Sequence, residues 1–535
     1  MLKVFSATHK SREKSWGERL ETLALNIVGL LAAAFSLFLS MTSLLHTTAV
    51  KYVKQEVHTI VYNIQKHVES VIYYNDNLFL NLLVLALSLA ICFIIITKLK
   101  GIRLRYVLLF LFLWTFVLGT IWVLSSQTAP TSDSAAVTSA AWEFAQNDFS
   151  SLESKRYFKN FPYQLGYVLF NELIIRLVFL LKRPETLLFL EVLNAVFLAV
   201  INVFVVLINH QIFKDERITN LTALILALSI APIISCSFIY GILPGMMFAV
   251  IALYCEIRWL QENRFLFGVL SIVSMAAAVL IKSNYLIWLI ALVLIAGVSM
   301  FRRKKYLLDC VYIVLVIALS LSVQPAVKRM YERRSGVELG DSIPYISWIA
   351  MGLNESDLAP GWYYYTYTIV NFENSDFSAE VAAERSAEEI KSRIQYFIEN
   401  PQYTNDFFYL KTVSQWNDTS YQSIWSNVVR YEYREKNALA DWVCNRGEDR
   451  VRGYMDYVAQ LVFFAFFVGC IFMIRRKTFI CALTPLIFVG GYMYHLISEG
   501  KSQYIMPYFI MMCGFAAFGI VCMHETYSQW KAARK

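Results

Sequence analysis

Long apolar runs separated by short polar loops repeat along most of this 535-residue chain. The runs at 78–97, 265–281 and 457–474 approach 20 residues and contain no charged side chain. A helix rises about 1.5 Å per residue, so about 20 apolar residues cross the roughly 30 Å hydrocarbon core of a bilayer. The alternation of apolar and polar residues that marks an outer-membrane barrel is absent. The pattern therefore predicts an all-α, polytopic membrane protein.

We expect about 12 transmembrane helices. The first apolar run follows a basic segment that contains Lys3, Lys10 and Lys14. It is too long for the apolar core of a signal peptide and is predicted to be an uncleaved span. The predicted spans are 22–46, 78–97, 106–125, 187–210, 218–239, 242–260, 265–282, 285–301, 306–325, 453–474, 478–497 and 504–525.

The charges of the loops predict which side of the membrane each loop occupies. If the basic N-terminal segment is cytoplasmic, the other loops on that side are basic as well, among them 302–305 and 475–477. An excess of Lys and Arg is typical of cytoplasmic loops. We therefore expect a multi-pass protein of the cell membrane with both termini in the cytoplasm.

Two further stretches are not counted as spans. Residues 161–181 are apolar but contain Glu172 and Arg176, and a span there would move all the following basic loops to the outside. We interpret this stretch as an amphipathic helix on the outer membrane surface, and we interpret 51–74 in the same way.

The soluble part is predicted to be an insertion into one membrane domain. Residues 378–400 have helical periodicity and stop before Pro401, where a helix is expected to end. The predicted parts are a membrane domain at 1–327 with a first outer loop at 126–184, a mostly helical extracytoplasmic domain at 328–450, and the C-terminal membrane helices at 451–535.

Composition narrows the class of function. Hydrophobic residues make up 57% of the chain, and its net charge of +8 lies in short loops rather than in a binding stripe, so no nucleic-acid partner is expected. The nine cysteines form no CxxC pair, and the fold is not expected to depend on disulfides. P-loop, dinucleotide, GxSxG and zinc motifs are absent, so a nucleotide substrate is not expected.

Asp133, in the first outer loop, is the first candidate for chemistry. An aspartate just beyond the outer end of a span could act as a general base toward a hydroxyl, with a lipid-borne substrate nearby. The alternative is that Asp133 caps the helix that follows, since Asp is among the commonest N-caps. Sequence spacing leaves both interpretations open.

The last outer loop carries an unusual density of polar side chains. His495, Glu499, Lys501 and Gln503 lie between two spans, where polar groups are costly unless they line a cavity or contact a headgroup. Lys501 is a compact cation suited to a phosphate. Alternatively, Glu499 and Lys501 are solvated in the headgroup region.

Polar residues at other span ends are weaker candidates. Lys282, at an outer junction, could bind an anionic ligand or could snorkel to the interface. Glu191, Asn194 and Asn202 in the fourth span could face the same cavity, or could hydrogen-bond neighbouring helices.

Several short motifs occur in order along the chain. They are Phe161-Pro-Tyr-Gln-Leu-Gly166, Phe238-Ile-Tyr-Gly241, Ile281-Lys-Ser-Asn284, Pro344-Tyr-Ile-Ser-Trp-Ile-Ala-Met-Gly352 and Glu499-Gly-Lys-Ser-Gln-Tyr504. In this order they resemble the GT-C superfold of membrane glycosyltransferases, which includes the protein O-mannosyltransferases and the lipid A aminoarabinose transferases, and the resemblance is closest to Gram-positive bacterial members. It covers the chain from about Tyr106 onward, leaving the first two spans and 51–74 as an addition.

The resemblance implies transfer of a sugar from a polyprenyl-phosphate donor to a cell-envelope glycan on the outer face, of the polysaccharide or teichoic-acid type. Asp133 would activate the acceptor hydroxyl for an inverting attack. Lys501, Gln503, Tyr504 and Lys282 would bind the donor phosphate, although many relatives carry Arg where this chain has Gln503. The supporting residues would be Glu499, His495, Tyr163, Glu143 and Asp148.

No metal and no cofactor is predicted. Some members of the superfold need a divalent metal with two acidic ligands, and Glu143 and Asp148 are the only loose candidates for such ligands. Trp348, Trp362 and the tyrosines Tyr363–Tyr365 could stack on sugar rings or could anchor the protein at the membrane interface.

Two rival functions remain. A transporter or flippase of lipid-linked saccharides would be expected to contain inverted repeats and helices broken near the midplane, and the sequence reveals no repeat and no pair of Gly/Pro-broken spans. A polysaccharide polymerase or ligase would share the substrates but would use an oligosaccharide on a diphosphate lipid.

Overall fold

The computed structural model describes residues 15–58, 63–99, 101–154, 157–181, 186–429, 437–476 and 478–534. The first part contains α1 (Trp16–Leu45), β1 (His46–His58), β2 (Asn63–Asn75), α2 (Leu78–Lys98), α3 (Leu104–Ser126), α4 (Ser132–Ala145), α5 (Ser150–Ser154), α6 (Tyr157–Asn160), α7 (Leu165–Leu180), α8 (Thr186–Phe213), α9 (Glu216–Leu228) and α10 (Ala231–Ile234). The second part contains α11 (Ile242–Glu262), α12 (Phe265–Ile281), α13 (Leu286–Arg303), α14 (Tyr306–Ser335), α15 (Tyr345–Gly352), α16 (Ile369–Glu373), α17 (Ala379–Glu399), α18 (Pro401–Trp416), α19 (Ser423–Val429), α20 (Ala438–Asp441), α21 (Glu448–Met473), α22 (Leu483–Ile497) and α23 (Met506–Ala533).

The prediction of an all-α polytopic membrane protein is confirmed. Within the described residues, 11 helices are long and apolar enough to cross a membrane, or 12 if the bent pair α9–α10 counts as one span. The bounds agree closely with the predicted spans, since α2 covers Leu78–Lys98 and α11 covers Ile242–Glu262. The helix predicted at 378–400 is α17, which Ser378 caps by accepting a hydrogen bond from the Val381 amide.

The spans pack around α23, in which every residue from Met506 to Cys522 is buried. A Cβ atom at Gly519 would lie 2.0 Å from the carbonyl oxygen of Ala465 in α21. Only glycine therefore permits these two helices to approach so closely, as is usual for small residues between membrane helices.

Helix α7 lies across helix ends, although with the turn before it (Pro162–Leu180) it is long and apolar enough to be a span. Gln324 of α14 donates to the carbonyl of Val279 near the end of α12, and α14 continues to Ser335. Glu172 of α7 contacts Arg334, beyond that point. These contacts favour the surface position predicted for α7, which stays a prediction.

The amphipathic helix predicted at 51–74 is wrong, because this segment forms an antiparallel hairpin. β1 pairs with β2 in the register His46 to Asn75 and His58 to Asn63. Its described ends are rich in β-branched and aromatic residues, which favour strands. Val50 and Val71 face each other and are buried in one cluster with Trp362. The sequence favours a helix because apolar residues such as Val57, Ile64, Val68 and Val71 recur at helical spacing.

The predicted span 218–239 is not one continuous helix. Helices α9 and α10 meet at a bend of 51°, just before Pro232. At the bend, Trp114 donates to the carbonyl of Ala227 (3.0 Å) and Tyr454 donates to that of Leu228 (2.8 Å). Side chains thus satisfy carbonyls that the bend frees.

The polar residues of the fourth span serve this packing. Asn202 donates to the Thr115 hydroxyl at 3.1 Å, and Glu191 accepts from Thr128 at 3.2 Å. Of the two interpretations left open for them, the contacts favour hydrogen bonding between neighbouring helices.

The predicted boundary between the membrane domain and the soluble domain, at 327/328, lies inside a continuous helix. α14 runs ten residues past the predicted span end at 325, to Ser335. Most of the segment that follows is helical, and α18 packs against β1 and α22. The insertion is therefore in direct contact with the membrane helices and the hairpin.

Candidate functional site

A cavity of about 590 Å³ lies between the first loop, the insertion, the hairpin and the loop 498–505. Eight of the ten predicted site residues line it. They are Asp133, Tyr163, Lys282, His495, Glu499, Lys501, Gln503 and Tyr504. The fold thus brings together residues that are separated by up to 371 positions in the sequence.

Asp133 is exposed to this cavity in the first turn of α4. The N-cap of α4 is Thr131, and no side chain makes the capping hydrogen bond. The alternative that Asp133 is an N-cap is therefore not supported. The helix N-terminus still favours a negative charge at this position.

Tyr157, Tyr163 and Tyr240 lie near Asp133 and line the same cavity. Burial, together with the nearby Tyr240 and Asp133, raises the pKa of Tyr157 well above its ordinary value. Gln164 fixes Tyr240 by donating to its hydroxyl at 2.8 Å. Asp133 thus lies among neutral hydroxyl groups and has no ion pair within the described part of the chain.

Lys282 is buried at the junction of α12 and α13, with its ammonium between two aromatic rings. Its Nζ lies 4.0 Å from the centroid of Tyr240 and 5.3 Å from that of Tyr504. Burial lowers the pKa of Lys282 to about 8, although Asp133 and Glu499 nearby favour its charged form. This inward position favours an anion-binding role over snorkelling.

Glu499 and Lys501 project from the loop 498–505. Glu499 is 9% exposed and accepts a hydrogen bond from the Tyr504 hydroxyl at 3.2 Å. Burial raises the pKa of Glu499, and Lys501 and Lys282 oppose that rise. Lys501 is partly buried in the cavity wall, and its ammonium makes no hydrogen bond or ion pair with any described residue.

His495 and Gln503 complete this side of the cavity. The His495 ring stacks on Tyr504, with centroids 5.8 Å apart, and both of its nitrogens lack a hydrogen-bond partner among the described residues. Gln503 is buried at the position where an Arg is expected from the resemblance. Its amide can donate to an oxyanion without supplying charge.

The structure does not bring Glu143 and Asp148 into the cavity lining. Glu143 accepts a hydrogen bond from the Ser151 hydroxyl, and Asp148 accepts from the Ser150 amide at 3.0 Å. Both carboxylates therefore stabilise the turn after α4, and their supporting role at the site stays a prediction that this geometry does not favour. Across the described ranges, no group of three His, Cys, Asp or Glu side chains could hold a metal ion.

Sequence reasoning missed Glu69 and Trp425. Glu69 of β2 lines the cavity and lies near Lys501. Its carboxylate accepts a hydrogen bond from the side-chain amide of Gln422 at 3.3 Å. Trp425 packs against Val50 and Val71 of the hairpin. A correct strand assignment for 46–75 could have shown which face Glu69 occupies, but not that this face meets the loop 498–505.

Aromatic rings cover the other wall. Trp348 and Tyr363 line the cavity, as their candidate role in sugar stacking requires. Trp362 does not, because it is fully buried and donates to the Ser414 hydroxyl at 2.8 Å. Rings of this kind offer flat apolar surfaces to a sugar, while the polar groups beside them can orient its hydroxyls.

The cavity combines a carboxylate open to solvent, two lysines that are not ion-paired, and aromatic walls. Such a set can accept a proton, bind an anion and hold a sugar. The chain matches no protein-family model, and no curated protein matches its sequence. Function is therefore inferred from the residues of the cavity.

Proposed function

We propose that the protein is an integral-membrane glycosyltransferase of the GT-C type. It transfers a sugar from a polyprenyl-phosphate donor to a cell-envelope glycan of the polysaccharide or teichoic-acid type. The observation that carries the proposal is that one cavity contains Asp133 together with Lys282 and Lys501, within the aromatic walls. An anionic leaving group and a hydroxyl nucleophile need such a division of charge.

Asp133 is the general base of the proposed reaction. The acceptor hydroxyl attacks the anomeric carbon, and its proton passes to the Asp133 carboxylate. The bond from the anomeric carbon to the phosphate oxygen breaks on the opposite face, and the phosphate leaves with the electron pair. The result is inversion at the anomeric carbon.

Lys282 and Lys501 bind the departing phosphate. Their two charges stabilise the negative charge that develops on the leaving oxygen, and the Gln503 amide and the Tyr504 hydroxyl add neutral donors. Glu499 holds the Tyr504 hydroxyl through their hydrogen bond.

The cavity is proposed to open on the extracytoplasmic side. Arg302 and Arg303 end α13, whose other end adjoins Lys282 at the cavity. Arg475 and Arg476 likewise follow the end of α21 that lies away from Arg452 and Asp418. Because the basic loops lie at the far end of the bundle, the positive-inside rule favours an outward-facing cavity.

The decisive experiment is Asp133→Asn in purified protein. Loss of a general base typically lowers the rate about 100- to 10,000-fold, whereas Asn keeps the shape of the side chain. We expect sugar transfer from the polyprenyl-phosphate donor to collapse, with an unchanged melting temperature and unchanged binding of polyprenyl monophosphate. Asp148→Asn is the matched control, since that aspartate lies in the same loop but outside the cavity. Transfer within a few-fold of wild type would remove Asp133 from the mechanism.

The broken helix α9–α10 is the one feature that favours the transporter or flippase, since broken helices are typical of transporters. Reconstituted vesicles separate the two functions. Movement of a lipid-linked saccharide across the bilayer without any sugar transfer would favour the flippase. Use of an oligosaccharide-diphosphate lipid in place of the monophosphate donor would favour the polymerase or ligase.

A further inference from the structure

Lys411 of α18 is a lysine with 0% exposure, and no carboxylate lies within hydrogen-bond distance of its ammonium among the described residues. Its Nζ donates to two backbone carbonyls, that of Gly352 at the end of α15 and that of Ser498 (2.7 Å) at the end of α22. Carbonyls at helix C-termini lack partners within their own helix and carry partial negative charge. Lys411 thus joins the insertion to the residue just before Glu499.

Two glycines make room for this contact. A Cβ atom at Gly352 would lie 2.3 Å from the carbonyl carbon of Ser498, and one at Gly361 would lie 2.6 Å from Lys411 Nζ. Gly361 also has a positive φ of 72°. The Gly500 amide donates to the Gly361 carbonyl at 2.7 Å, so both sides of Glu499 are tied to the insertion.

A second buried charge holds the other end of the loop. Asp418, just after α18, accepts from the Ser502 hydroxyl at 2.6 Å and from the amide of Gln422 at 3.1 Å. Ser498 and Ser502 flank Glu499 and Lys501. The segment 498–502 is therefore anchored at both ends by α18 and the residues that follow it.

We propose that Lys411 is a positioning residue, which holds Glu499 and Lys501 at the cavity wall through the carbonyl of Ser498. The soluble insertion thereby shapes the phosphate-binding side of the cavity without touching the phosphate. The position of the loop is a claim about the chain itself, whereas its effect on donor binding rests on the proposed function.

The protonation of Lys411 gives the proposal a pH signature. Burial lowers the pKa of Lys411 to about 7, and the titratable groups that face it among the described residues are Glu499 and His495. An opened loop would let the amine regain its ordinary pKa of about 10.4, so opening takes up a proton above pH 7. Raising the pH from 7 therefore closes the loop, and the neutral amine keeps two N–H donors for its two carbonyls.

Hydrogen exchange of the peptide 495–505 tests this in purified protein without ligand. Lys411→Met leaves two buried carbonyls without a donor, so we expect exchange to be about 10- to 100-fold faster. The protection factor is the intrinsic exchange rate of the amides divided by their observed rate. In wild type it should rise by up to about 10-fold per pH unit above pH 7, and in Lys411→Met this rise with pH should be absent. Lys391→Met, on the exposed face of α17, is the matched control.

Binding of polyprenyl monophosphate is measured on the same samples. We expect Lys411→Met to weaken it at least several-fold while Lys391→Met leaves it unchanged. Exchange in Lys411→Met equal to that of the control would overturn the proposal. If Lys411→Met does not fold, a wild-type protection profile that is flat from pH 6 to 9 would overturn it. Absence of lipid binding in wild type would count against the proposed function, not against the positioning of the loop.

Discussion

The two ends of the helix bundle differ in whether their buried charged side chains form ion pairs. At the end opposite the cavity, Glu21 pairs with Arg302 at 3.1 Å and Asp309 with Arg303 at 2.6 Å. In the cavity, Lys282, Lys501 and Glu499 have no ion pair within 4 Å among the described residues. A charge that is removed from water is costly unless it is paired. The difference indicates that the charged side chains of the cavity pair with a ligand rather than with other residues of the chain.

Glu172 sharpens the comparison, because it lies near the cavity and is nevertheless fully paired. It is 2% exposed and accepts from Arg334 (2.7 Å), Arg176 (2.9 Å) and Tyr331 (2.5 Å). The lack of ion pairs among the described residues is thus a property of the cavity wall and not of that whole end of the molecule. At the opposite end, Glu256 is an exception, since both of its buried oxygens lack a hydrogen bond within the described ranges.

The largest effect on binding is expected at Lys501. A hydrogen bond to a charged group is worth about 1.5–3 kcal/mol, so Lys501→Ala should weaken binding of polyprenyl monophosphate by about 10- to 150-fold. The melting temperature should not change, because the substitution removes no hydrogen bond or ion pair to a described residue. Isothermal titration in detergent, with Lys391→Ala as control, measures the change. Unchanged affinity in both Lys501→Ala and Lys282→Ala would contradict the phosphate role of the lysines.

The sequence predicts the spans well because apolar length is a local signal. The bounds of the long helices α2 and α11 match apolar runs that are recognised from local hydropathy alone. The hairpin was not predicted because its apolar residues, such as Val57, Ile64, Val68 and Val71, recur at the spacing of a helix. The break before Pro232 was not predicted because side chains distant in sequence, Trp114 and Tyr454, stabilise it.

The site was predictable only where polar residues interrupt apolar runs. Lys282 and the loop 498–505 stand out in that way. Glu69 and Lys411 do not, because each lies in a polar stretch and acquires its role from contacts across more than 80 positions. Glu143 and Asp148 were chosen by proximity to Asp133 in sequence, but the turn after α4 directs them elsewhere.

A second prediction compares two buried carboxylates. Glu172→Gln breaks its ion pairs with Arg176 and Arg334, which are themselves partly exposed, so we expect unfolding to become easier by about 1–3 kcal/mol. Glu499→Gln keeps the hydrogen bond from Tyr504 and should change stability by less than about 1 kcal/mol. Thermal unfolding in detergent compares the two variants. Equal losses of stability would mean that Glu499 is paired as firmly as Glu172.

The third prediction concerns pH. The pKa of Lys282 is lowered to about 8, so its charge is present below pH 8 and is lost as the pH rises through that value. The affinity ratio of wild type to Lys282→Met for polyprenyl monophosphate should therefore fall from about 10 at pH 7 toward 1 at pH 10. Taking the ratio cancels the titration of the lipid and of the other groups. A ratio that stays constant over this range would exclude Lys282 from phosphate binding.

The smallest expected effect has the opposite sign. Glu69 lies near Lys501 and partly neutralises it, and the same carboxylate would repel a bound phosphate. Glu69→Gln keeps the shape of the side chain and removes the charge, so polyprenyl monophosphate should bind about two- to five-fold more tightly, as expected for a partly solvated pair. The gain should disappear in a Lys501→Ala background. Weaker binding in Glu69→Gln would instead mean that Glu69 holds Lys501 in place, so that one of the charges in the cavity is paired by the chain after all.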